Sequence, residues 1–395
     1  MSPRNARILA FGVSLALAGA AGGAFLRWKD SQRGPGLRLS VLQDMSPEQA
    51  SAALAAAARI ESGSLLRVVL SQELVAEMMP LTGRRVYDPL CYFRFLPDLS
   101  FTHAWDEYPG GEYEIVTNSL GLRQDAEILE QKPDLRVLVV GDSHMTGVCA
   151  NPDCFAGQLD AQLSAADDAR SVEVLNGSHG AYGFYHYLGV LERMRHLGHD
   201  PDLVVMVVYG GNDFLGSYLW HFFHDSRRPR RNEDERLLLH SVAQDHPEAV
   251  GQVLNAAEYF RRGGAQEVEI ALRMGREVTQ EIARQCEELA AGLLVVYLPA
   301  PTELPDQSPL EDLLQAAGKL ELDRADLDLV GTMGDAYLSD LESLGVATLD
   351  LRPVFAARAG LLYWRRDLHL ALAGHAAAAT AVAPWIEDWW RARGE

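Results

Sequence analysis

The chain has 395 residues, 48% of them hydrophobic and 23% charged, with a net charge of −20, an ordinary globular composition that suffices for one large domain with additions or for two. The acidic balance, with a pI near 5.0, argues against a nucleic-acid partner, because phosphate recognition wants a basic face. The four cysteines Cys91, Cys149, Cys154 and Cys286 are too few for a disulfide scaffold and lack zinc-site spacing.

Arg4 and Arg7 precede an apolar run over residues 8–26, and Arg27 and Lys29 follow it. At about 1.5 Å per residue the run is just long enough to cross a bilayer, and its basic start is that of an exported protein. Residues 1–29 are expected to be a signal anchor. The alternative is a signal peptide cleaved near Ala18-Gly19-Ala20. Either way the body lies outside the cytoplasm, membrane-anchored on the extracytoplasmic side, or periplasmic or secreted if cleaved. A disulfide between Cys149 and Cys154 is possible there and would contribute about 2 kcal/mol, the alternative being two buried thiols.

Residues 30–45 read as a polar linker. Ser46 as N-cap and Pro47 in the first turn start a helix that alanine-rich residues 49–60 continue. A second helix is expected over 65–79, ending near Pro80, so that 30–85 forms a linker and helical segment. From Val86 the texture changes to short strands and turns, including a strand over 113–117.

Residues 135–147, LRVLVVGDSHMTG, organise the rest. An apolar run without polar alternation suits a parallel strand covered on both faces. Gly141 breaks it, and Asp142, Ser143 and His144 emerge at its carboxyl end. A helix is predicted over 155–164, a strand over 172–175, the loop NGSHGAYG over 176–183, a helix over 184–197, and a buried strand over 203–209 ending in GGND. This alternation predicts a doubly wound parallel sheet with helices on both faces. Residues of about 214–290 are polar and helical, an insertion; its cluster RRPRR reads as a solvated turn. A strand over 293–298, a helix over 332–343, a strand over 346–351, the loop LLYWRRDLHLALAGH and an alanine-rich helix to Trp390 complete the domain, 86–395.

Serine becomes a nucleophile only when a base removes its proton and a third group fixes that base. Ser143 is the candidate nucleophile, and the pair Asp367 and His369, on the loop before the last helix, supplies the candidate carboxylate and base. An acyl-transfer site also needs donors aimed at the oxyanion, each worth ~2.7–4 kcal/mol in the transition state. The backbone N–H of Gly180 or its neighbour Ala181 and the side-chain amide of Asn212 are placed for this at the ends of the next two strands. His144 and His179 read as loop or substrate-contact residues, Trp105 and Tyr182 as packing before sugar subsites, and Asp142 as the acceptor that fixes the turn.

In these stretches the chain resembles the SGNH (GDSL-type) hydrolase family, in its branch of exported esterases and O-acetyltransferases. VLVVGDSHMTG, VLNGSHGAYGF, VVYGGNDF and RRDLHLALAGH occur in the family's block order over about residues 86–390. The second block departs: the position five after the asparagine is Ala181, and the glycine is one earlier. The resemblance implies a three-layer α/β/α sandwich with a mainly parallel, flavodoxin-like sheet. It also implies Ser143, Asp367 and His369 as a triad, with Ser143 N–H, Gly180 (or Ala181) and Asn212 as the oxyanion hole. The function expected is a serine esterase acting on an O-acyl group of a carbohydrate or lipid, with no metal or cofactor. A cell-envelope polysaccharide O-acetyltransferase using the same triad is the alternative, and a non-catalytic carbohydrate-binding scaffold the second.

Overall fold

The computed structural model describes residues 70–394 apart from 82, 168, 223–230 and 305–309. The expected N-terminal anchor, the linker and the first helix lie outside the described residues. Among the described residues, no helix is long and apolar enough to cross a membrane.

Two antiparallel hairpins come first: β1 (Arg85–Asp88) with β2 (Tyr92–Phe95), and β3 (Ser100–Ala104) with β4 (Glu112–Val116). The parallel sheet follows, built from β5 (Leu135–Val140), β6 (Val172–Asn176), β7 (Leu203–Tyr209), β8 (Gly292–Leu298) and β9 (Ala347–Asp350), in the order β6-β5-β7-β8-β9. This is the flavodoxin-like order, with the chain reversing its direction of winding between β5 and β7.

Successive residues of a strand face opposite sides, and here both sides are covered. Leu135, Val137, Val139, Val205 and Val207 enter one core, where the helices Phe155–Ala166 and Leu372–Gly394 pack. Leu138, Val140, Val204, Met206 and Val208 enter the other, beneath Phe184–His196, Asp213–Phe222 and Ala265–Glu288. Arg136, the one charge in β5, is buried opposite its register partner Glu173 and is paired with it at 2.6 Å.

The helix expected over 332–343 is longer, Arg324–Ser343, because Asp323 accepts from Asp326 N–H while Asp326 accepts from Asp323 N–H. That reciprocal cap starts the helix two turns early. Within the described residues the helix expected over 65–79 covers Gln72–Met78, capped by Ser71. The insertion is helical, and within it residues Val250–Leu254 form a π-helical turn that runs into the helix Asn255–Gly263.

Candidate active site

Ser143, Gly180 and Asn212 follow β5, β6 and β7, the three strands flanking the switch point, where doubly wound sheets hold their ligands. Ser143 is the first residue of a short helix, Ser143–Thr146, whose N-cap Asp142 accepts the His144 N–H at 2.9 Å. A residue at this position has a backbone N–H that the helix itself cannot use. Among the described residues, neither Ser143 N–H nor Gly180 N–H has an acceptor. A Cβ on Gly180 would lie 3.8 Å from Ser143 Cβ, so the glycine stands beside the serine. Ala181 holds a left-handed backbone, φ +66°.

The loop after β7 is fixed by Asp213, which is buried and accepts from Tyr209 N–H and Tyr187 Oη, both at 2.8 Å. Asn212 precedes it and donates from Nδ2 to the Gly251 carbonyl at 3.5 Å. A Cβ on Gly211 would meet the Gln252 carbonyl at 2.3 Å, so only glycine lets the π-helical turn come this close. The insertion thus rests directly on the loop that carries Asn212.

Asp367 and His369 sit on a loop pinned by the Tyr363–Leu370 bridge and by Trp364 N–H to His369 O at 2.8 Å. The intervening Leu368 is buried with φ +63°. That left-handed residue turns both side chains to one side: Asp367 Oδ1 accepts the backbone N–H of His369 at 2.9 Å and also its Nδ1–H. Burial alone lowers the pKa of His369, but the Asp367 bond and charge, with Asp142 and Glu248, outweigh it and leave the pKa above the ordinary histidine value. Burial pushes Asp142 up to about 6, against the attraction of His369.

Ser143 and His369 are not hydrogen-bonded to each other. Ser143 Oγ lies 3.4 Å from Asp142 Oδ2, while His369 Nε2 lies 3.1 Å from the side-chain nitrogen of Gln252. The two halves meet through His144, whose ring centroid is 4.8 Å from that of His369. His144 corrects the loop or substrate-contact reading: it is fully buried, burial keeps it neutral, and it bonds Gln252 Oε1 at 3.0 Å. His179 lies in the loop after β6, as expected, and is buried there, 4.0 Å from the Phe95 ring and bonded through Nδ1 to Gly180 O at 2.7 Å. Tyr182 is buried against Phe93, with its hydroxyl on the Phe93 carbonyl. Cys149 and Cys154 are buried free thiols.

Glu248, Asp367 and His369 offer three potential cation ligand atoms within 4.8 Å of one another. Asp367 and His369 are already committed to one another by hydrogen bonding, so this set is better described as two carboxylates around one imidazole. Glu248 and Gln252 carry no sequence signal: they lie in an insertion of ordinary polar helical composition, more than a hundred residues from the groups they meet.

No protein-family model matches the chain, and no curated protein matches it. Solved structures similar to it include an acetylxylan esterase from Geobacillus stearothermophilus (14% identity, TM-score 0.36, covering 63% of this chain and 92% of that one). Another is an alpha/beta hydrolase enzyme from the metagenome of Lake Arreo, Spain (17%, TM-score 0.36, 63% and 93%). A third is a protein of Desulfitobacterium hafniense DCB-2 described as lipolytic and of the G-D-S-L family (12%, TM-score 0.34, 64% and 99%). At such identities and TM-scores these likenesses carry no weight for the residues, whose reading rests on their geometry.

Proposed function

We propose that the protein is a serine esterase of the SGNH type that hydrolyses an O-acyl ester of a carbohydrate or lipid. The observation that carries this is the Asp367–His369 pair. In the neutral ring Nδ1–H donates to the carboxylate and Nε2 keeps its lone pair, the tautomer a general base needs. Ser143, on the turn after β5, is the nucleophile in this reading.

In the first step Nε2 of His369 takes the Ser143 hydroxyl proton as Oγ bonds to the ester carbonyl carbon. Asp367 stabilises the imidazolium that forms. The Ser143 and Gly180 N–H groups and the Asn212 amide take the negative charge on the carbonyl oxygen. Collapse breaks the bond to the alcohol oxygen, which leaves with the proton from His369. Water then repeats the sequence on the acyl-enzyme, giving up a proton to His369 and releasing the acid and free Ser143. A sugar hydroxyl in place of water would make the same site an O-acetyltransferase. The apolar run over residues 8–26 between basic residues supports work outside the cytoplasm.

Turnover of p-nitrophenyl acetate tests the reading. The wild type is expected to release p-nitrophenol and a folded Ser143→Ala variant is expected not to. Inactivity of the folded wild type and of its folded Gln252→Ala variant, which frees Nε2 of His369, across a broad ester panel would refute the hydrolase. Product analysis with and without a polysaccharide acceptor separates hydrolysis from transfer.

A further inference from the structure

With His369 neutral, one orientation of the Gln252 side-chain amide pairs every donor around it with an acceptor. Leu370 N–H donates to His144 Nδ1 at 3.3 Å, so the proton of that neutral ring is on Nε2. His144 Nε2–H then donates to Gln252 Oε1 at 3.0 Å. This turns the amide NH₂ of Gln252 toward His369 Nε2 at 3.1 Å, where it donates to the lone pair. His369 Nδ1–H donates onward to Asp367. Every donor in this chain meets an acceptor, and reversing any one bond would leave two donors facing each other.

The lone pair that Gln252 occupies is the one the reaction requires. Ser143 must donate its proton to it, and the leaving alcohol and the incoming water must each bond there in turn. The residue is delivered by the π-helical turn Val250–Leu254, a rare element that is common at functional sites. That turn rests on Gly211. Burial raises the pKa of Glu248, one turn earlier, and a hydrogen bond from the same Gln252 side chain opposes that rise.

We propose that Gln252 is the gate of the general base: with the insertion seated its amide occupies Nε2 of His369, and it must withdraw before Ser143 can be deprotonated. The space it vacates is the subsite of the alcohol oxygen, so the insertion controls which alcohol reaches the base. This rests on the esterase reading above. A conformational step of this kind sets the rate in many enzymes with mobile lids or loops. The groups facing His369 in the gated state are Asp367 on its own loop, Asp142 and His144 from the turn after β5, Glu248 and Gln252 from the insertion, and His375 from the last helix.

The test compares the rate at which a fluorophosphonate probe labels wild type, Gln252→Ala and Gln252→Glu, with circular dichroism to establish that each is folded. Gln252→Ala is expected to label about tenfold faster, the shift that losing one competing hydrogen bond gives. Gln252→Glu is expected to label more slowly and to move the acidic limb of the rate profile to higher pH, because a carboxylate on Nε2 holds the imidazolium. Gln252→Ser replaces the alanine variant if that one fails to fold, with the same expectation. If the wild type labels and the small variants are folded but no faster, the gate is overturned and the esterase reading stands. If the wild type is silent and a small variant labels, the gate is supported in its strongest form. If wild type and all folded variants stay unlabelled, the esterase reading fails and the gate with it.

Discussion

One oxygen of Asp367 accepts two bonds from His369, its backbone N–H at 2.9 Å and its Nδ1–H. Two residues apart, a carboxylate and an imidazole reach this geometry only because Leu368 between them holds φ +63°. A left-handed backbone costs a non-glycine residue roughly 1–2 kcal/mol, and the burial of the Leu368 side chain offsets it.

Leu368 therefore separates packing from geometry. Leu368→Gly should lower the melting temperature through lost burial, yet keep ester turnover within about threefold, since glycine adopts this backbone freely. Leu368→Val, β-branched and disfavoured at positive φ, should cut turnover by about a hundredfold, the loss a misplaced catalytic group brings. Thermal melts and steady-state kinetics on both variants check this. Equal turnover losses in the two would mean that the backbone of Leu368 does not set the pair.

Asp367→Asn should leave the fold intact and reduce kcat by about 10⁴-fold, as the same change does in a serine protease triad. An amide in place of the carboxylate no longer fixes the proton on Nδ1. A nitrogen spectrum of His369 reads the tautomer directly, and kcat with KM nearly unchanged is the kinetic signature expected.

The pH dependence has a definite sign. As the proposed general base, His369 would act only when neutral, and its neighbours hold its pKa above the ordinary histidine value. Turnover at low substrate should therefore rise through a midpoint above that value and level off at higher pH. Glu248 contributes to the rise in pKa, so Glu248→Gln should move the midpoint to lower pH. A profile falling across the same range would contradict the assignment of His369 as base.

Much of the scaffold is legible in the residues. The unbroken apolar texture of 203–209 marks a strand covered on both faces, and β7 is buried along its whole length. The spacing of strand and helix signals gives the parallel sheet. What the sequence does not show is how distant segments meet. Gln252 has no motif, and its partners His144 and His369 lie 108 and 117 residues away. His144 reads as a loop residue because the helix that buries it is a single turn, too short for a periodic pattern. The reciprocal cap at Asp323 and Asp326 is readable locally, but an acidic stretch also suits a solvated loop.

The proposed nucleophile is Ser143, with His369 as its base. The most direct measurement is intact-mass and peptide analysis after incubation with a fluorophosphonate probe. One adduct per chain is expected, on Ser143, abolished in Ser143→Ala and strongly slowed in His369→Ala. An adduct on another residue, or none on the folded wild type and none on its folded Gln252 variants, would contradict it.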